Sequence, residues 1–103
     1  MTRKRRSDTK HAIYCLVNTV TNDSYIGITV CGSAPGRAVK VRVQKHIQRA
    51  NVENHGWKLC ESIRQYGAEC FEYYIMETIR GRLAAHSRER ELIRELQPVL
   101  NTR

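Results

Sequence analysis

The segment 11–29, HAIYCLVNTVTNDSYIGIT, decides the fold. Its first half is rich in β-branched and aromatic residues (Ile13, Tyr14, Val17), its middle holds the turn formers Asn22, Asp23 and Ser24, and Tyr25-Ile26-Gly27-Ile28 is strand-like again. The pattern predicts a β-hairpin. Its first strand, His11 to Asn18, sets Ala12, Tyr14 and Leu16 on one face and Ile13, Cys15 and Val17 on the other. Both faces are apolar, which assigns the strand to the middle of a covered sheet. The second strand, Ser24 to Thr29, puts Tyr25 and Gly27 on one side and Ile26 and Ile28 on the other. Whether Tyr14 and Tyr25 share a face rests on the register, because a slip of one residue turns every side chain over.

A loop over Val30 to Gly36 leads into RAVKVRVQKHIQRAN (37–51), where two periods compete. Val39, Val41 and Val43 alternate as in a strand, whereas Val39, Val43, Ile47 and Ala50 fall on one helical stripe. The length of the run favours a helix, with Ser33 ahead of Pro35 as its start signal. Arg42 and His46 then lie one turn apart on one flank of the apolar stripe, where a guanidinium and a titratable ring could reach one phosphate. The polar stretch Asn51 to Gly56 connects to a short helix, Trp57 to Tyr66, closed by Gly67 in a left-handed position. Phe71 to Ile79, apolar on both faces, is the third strand. The last element runs from Arg82 to Leu96 and is halted by Pro98. Ala85, Leu92, Ile93 and Leu96 define its buried stripe, and Glu89 falls on it. A carboxylate facing a core needs a partner, since an unpaired buried charge is costly. A buried arginine or a metal ion would serve, and the metal is the preferred reading.

Composition bounds the rest. A chain of 103 residues has room for one small domain. Eighteen Lys and Arg against ten Asp and Glu give a net charge of +8, which makes a polyanion the expected partner. Residues 1–10 form a basic arm in which Arg3, Lys4, Arg5 and Arg6 are placed either in solvent or on phosphates, and 11–103 form the domain. Cys15, Cys31, Cys60 and Cys70 contain no CxxC pair, and no export signal accompanies them, so the expectation is an intracellular protein with free thiols. No segment approaches the ~20 apolar residues of a membrane span.

The residues now quoted resemble those of the GIY-YIG endonuclease family. Ala12-Ile13-Tyr14 is followed, eleven residues after its tyrosine, by Tyr25-Ile26-Gly27. Arg42 and His46 match a helical Arg followed four residues on by Tyr or His. Glu89, four before Ile93, and Asn101, after the turn at Pro98, match the remaining signature. Any one match is weak; in this order, from Ala12 to Asn101, they are jointly specific. Two features depart from the pattern. Ala12 replaces the first glycine, and the lysine some members carry after the second motif has no clean counterpart in Arg37 or Lys40. His55 is close to where some members place a further histidine.

The resemblance implies an α/β (α+β) fold, with a small three-stranded antiparallel sheet flanked by helices, and metal-dependent hydrolysis of phosphodiesters in DNA. It implies one Mg²⁺ or Mn²⁺ ion held by Glu89, Arg42 as the phosphate clamp, Tyr14 as general base with its pKa lowered, and Tyr25 orienting the water or phosphate. His46 would share the base role or hold Tyr14, and Asn101 would fix the phosphate or Glu89. Arg37, Lys40 and Lys45 are expected to bind DNA with the arm. Relatives usually attach a separate recognition domain, so modest sequence preference is expected unless a homodimer or partner protein supplies it. The alternatives are a non-catalytic nucleic-acid binder with this fold, a zinc module built from the cysteines with His46 and His55, and a generic basic α/β domain whose motif is coincidental. The unpaired cysteine spacing disfavours the zinc module.

Overall fold

Strands β1 (Lys10–Asn18) and β2 (Ser24–Val30) fold back on one another as the hairpin expected from the sequence. The computed structural model describes residues 9–53 and 58–101, so the expectations for Arg3, Lys4, Arg5, Arg6 and His55 lie outside the described residues. The turn is organised by Asn18, which is fully buried. Its Oδ1 accepts from the backbone N–H groups of Val20 (2.9 Å) and Thr21 (3.3 Å), and its amide donates to Ser62 Oγ at 3.0 Å. Asn22 takes the positive φ of 68° that reverses the chain, a conformation asparagine tolerates better than most residues.

After the hairpin come α1 (Pro35–Gln48), a wide turn over Arg49–Glu53, α2 (Lys58–Tyr66), β3 (Phe71–Arg80), α3 (Arg82–Leu96) and a final short turn over Val99–Asn101. The sheet is antiparallel with order β2-β1-β3, which puts β1 in the middle as its two apolar faces require. Ala12, Tyr14 and Leu16 on one face pack with Val39 and Val43 of α1 and Leu59, Cys60 and Ile63 of α2. Ile13 on the other face, with Ile26 of β2, packs on Leu92 of α3. The molecule is thus a sheet between two helical layers, and each fully buried Leu or Ile contributes about 1.5–3 kcal/mol. None of the four cysteines is in a disulfide.

Some local expectations are corrected. Ser33 does not cap α1: the N-cap is Ala34, without a side-chain hydrogen bond, and Pro35 opens the helix because its fixed φ suits the first turn. Gly67 has the expected positive φ (89°), but its ψ of 152° carries the chain into an extended path instead of a left-handed helical turn. β3 is not covered on both faces. It is an edge strand, with Tyr73, Tyr74 and Ile75 exposed at 41%, 53% and 38%. On α3 the buried stripe stops short of Leu96, which is 57% exposed because the helix ends at Gln97 in a left-handed conformation beyond the core.

Candidate active site

Register settles the relation between the two tyrosines. Tyr14 pairs with Gly27 and Leu16 with Tyr25, so Tyr14, Tyr25 and Gly27 share one face. Gly27 matters there through what it lacks. A Cβ at that position would overlap Tyr14 Oη and Cζ and come within 2.9 Å of Tyr25 Cε1, so the Tyr14 ring lies across its partner strand in space that only glycine leaves open. The sequence reading placed Gly27 on this face but gave it no role; its position opposite Tyr14 is visible only once the strands are paired.

α1 supplies the next two groups. His46, buried on the helix stripe, lies with Nε2 2.8 Å from Tyr14 Oη, and its ring stands edge-on to Tyr25 at 5.2 Å between centroids. The phenol centroids are 6.4 Å apart. One turn earlier, Arg42 turns its guanidinium toward the phenols, and its Nε is buried with no hydrogen-bond partner among the described residues. A buried unpaired donor is uncommon and costs about 1–3 kcal/mol, so it points to an acceptor supplied from outside.

Glu89 comes from α3. Its side chain is 18% exposed, His86 Nδ1 lies 3.9 Å from its Oε1, and burial raises its pKa, opposed by the charge of Arg90. Its own charge raises the pKa values of both Tyr14 and Tyr25, which puts the carboxylate within electrostatic reach of both phenols.

The protonation pattern revises the chemistry expected of Tyr14. Burial pushes its pKa well up, the neighbouring Tyr25 adds to this, and the Arg42 guanidinium beside it only partly compensates. The lowered phenol pKa that a free phenolate base requires is not what this environment gives. Burial likewise raises Tyr25. His46 is pushed down to about 4, first by burial and then by the charges of Arg42 and Arg49, so it is neutral at pH 7. With a neutral ring protonated on Nδ1, the Tyr14 hydroxyl donates to Nε2. Arg49, which the sequence reading did not single out, enters the site through its charge, which acts on both His46 and Tyr25.

Asn101 takes a different position from the one expected. Its Oδ1 accepts from Ile26 N–H (2.7 Å) and its amide donates to Ile26 C=O (2.8 Å), so it clamps the backbone of β2 next to Tyr25 instead of reaching toward a phosphate or Glu89. The cations of α1 divide. Arg37 and Lys45 line one cleft of about 340 Å³ with Arg42, between α1 and the end of β2, and Lys40 lies outside it.

Among the described residues no three His, Cys, Asp or Glu side chains converge, so an ion caged in the manner of zinc has no donor set there. The single half-buried carboxylate of Glu89 instead suits a hard divalent ion that keeps most of its waters.

Neither a family model nor a curated protein matches the chain. Among solved structures, the catalytic domain of the intron endonuclease I-TevI, in a mutant form, matches it with a TM-score of 0.71 and 25% identity, over 91% of this chain and 92% of that one. The fold implied by the sequence resemblance is borne out over nearly the whole chain.

Proposed function

On the premise of a GIY-YIG endonuclease fold, we propose that this chain is a metal-dependent endonuclease that hydrolyses phosphodiester bonds in DNA. The observation that carries the proposal is a convergence. A buried and a partly buried phenol, a neutral histidine and a guanidinium with an unpaired buried N–H come together from three elements, and a half-buried carboxylate from a fourth lies within electrostatic reach of both phenols. Structural packing alone gives no reason to assemble them.

The phosphodiester is an anion, so the site has to neutralise charge, deprotonate water and stabilise the departing oxygen. Arg42 takes a non-bridging oxygen and thereby satisfies its Nε. Glu89 would hold a hydrated divalent ion, Mg²⁺ or Mn²⁺, which when bound supplies positive charge to the phosphate oxygens. Tyr14 accepts the proton of the attacking water as it passes its own hydroxyl proton to His46 Nε2, so no free phenolate is needed. The bound phosphate assists this step, because its negative charge offsets that of Arg42, which otherwise holds His46 down. Tyr25, edge-on to His46, orients the phosphate. Asn101 fixes the strand that carries Tyr25 and acts as a positioning residue. Arg37 and Lys45 bind backbone phosphates beside Arg42, and the basic arm adds to that attraction.

The test is nicking of supercoiled plasmid with and without Mg²⁺ by the wild type and Glu89→Ala. Metal-dependent conversion to open circles by the wild type alone is expected. Equal nicking by both proteins, or none by the wild type with any divalent ion, would refute the assignment.

A further inference from the structure

A second cleft, of about 480 Å³, opens on the other side of β2. It is lined by His11 of β1, Ile28 of β2, and Arg82 and His86 of α3. Thr29 and Val30 belong to its wall and also to the wall of the Arg37–Arg42–Lys45 cleft. The end of the edge strand β2 is therefore a ridge with a cationic cleft on either side, capped by the 58% exposed Val30.

Charge at this end of the sheet is unbalanced. Lys10 and Arg80 are directly paired across β1 and β3, and Arg82 follows two residues later. Like charges opposite each other on a sheet are destabilising. Among the described residues none of these three, nor Arg37 or Lys45, has an ion-pair partner; the ion pairs present join Arg88 to Glu77 and Glu91 and His86 to Glu89. The acids Asp23, Glu69 and Glu72 sit at the opposite, hairpin-turn end of the sheet. His11 is 5% exposed, its Nδ1 2.8 Å from Thr9 C=O, which leaves Nε2 for a bridging water at the cleft wall.

We propose that the two clefts form one phosphate track, in which the strand to be cut crosses the Thr29–Val30 ridge. Arg37 and Lys45 hold its backbone on one side of the break and Arg82 holds it on the other. The spacing suits this. Arg82 stands seven residues, roughly 10 Å, up α3 from Glu89, and Arg37 five residues, roughly 7.5 Å, up α1 from Arg42. These offsets are a few times the axial rise of about 3.4 Å per nucleotide on each DNA strand, so the flanking contacts fall within a few nucleotides of the reacting phosphate. His86 connects the track to the site through its approach to Glu89. A track occupied on both sides of the break selects internal phosphodiesters over chain ends. This inference deepens the endonuclease reading and rests on it for what passes between the clefts.

Binding, read without cleavage, tests it. Anisotropy titrations in EDTA with a fluorescein-labelled oligothymidylate and with a duplex of the same length, over a range of salt, compare the wild type with Arg82→Ala and with Arg37→Ala/Lys45→Ala. The track predicts that Arg82→Ala lowers the slope of log K against log salt by about 0.9 on the duplex and about 0.7 on the single strand, and Arg37→Ala/Lys45→Ala by about twice as much on each. Each is expected to weaken binding about tenfold or more at low salt. An unchanged slope for Arg82→Ala, or a loss confined to the duplex, overturns it, the latter because the second cleft would then hold the complementary strand. Since cleavage is not read, failure of the nicking test leaves this result interpretable by itself.

Discussion

Replacing Gly27 by alanine isolates the geometry on which the site depends. The added Cβ would overlap the Tyr14 ring at Oη and Cζ and press on Tyr25 Cε1 at 2.9 Å. Tyr14 has no room to retreat. It is fully buried, packed between β1 and the α1 and α2 layer, and tied by its hydroxyl to His46. Overpacking of this kind costs about 1–3 kcal/mol, and a rigid ring as the obstacle puts Gly27→Ala in the upper half of that range. For a domain near 100 residues, about 2–3 kcal/mol lowers Tm by roughly 10–20 °C. Gly36 provides the control. It lies in the first turn of α1 with nothing within 4 Å of the position its Cβ would take, so Gly36→Ala should hold or raise stability by about 0.5–1 kcal/mol through helix propensity. Urea unfolding followed by circular dichroism measures both, and plasmid nicking measures whether the displaced phenol still works. Gly27→Ala unfolding at the same midpoint as Gly36→Ala would refute the reasoning.

Two other outcomes follow from the same contacts. His46 has its folded-state pKa depressed from 6.5 to about 4, so its neutral form stabilises the fold fully above pH 6.5. Between pH 6.5 and 4 the unfolded chain binds a proton that the folded chain refuses, and stability falls with pH by about 3 kcal/mol in total. Urea midpoints at pH 7 and pH 4.5 check this, and His46→Gln should show a shallower fall; identical pH profiles would contradict the assignment. Asn101→Ala removes both hydrogen bonds to Ile26 and should cost about 1–3 kcal/mol. Asn101→Asp, which keeps only the acceptor, should fall between the alanine variant and the wild type, and a denaturation midpoint unmoved in both would show that the clamp is idle.

Where a single element carried the information, the sequence was easy to read. Two apolar faces on His11–Asn18 make a central strand, the 3.6-residue stripe from Val39 to Ala50 makes a helix, and Arg82 to Leu96 is a helix with the bounds expected. Arg42, His46 and Glu89 could be identified because each sits at a fixed helical offset from a core residue. What depends on pairing was not legible. The register that brings Tyr14 over Gly27 is set by the whole hairpin turn around Asn18, and the exposure of Tyr73, Tyr74 and Ile75 by β3 lying at the edge of the sheet. Asn101 was found as a residue but not as a contact, since 75 residues separate it from the Ile26 backbone it holds. The pKa direction of Tyr14 is a property of burial, which no local pattern encodes; the cation beside it, expected to lower it, is outweighed by desolvation.

The central claim, that Tyr14 relays the proton of the attacking water to His46, is tested most directly by the single-turnover cleavage rate of Tyr14→Phe. The measurement uses saturating enzyme, a duplex oligonucleotide carrying a mapped nick site, and Mg²⁺. Removal of a general base costs about 10²–10⁴ in rate. The account predicts a loss in that range with duplex affinity unchanged. A Tyr14→Phe rate within a few fold of the wild type would contradict it.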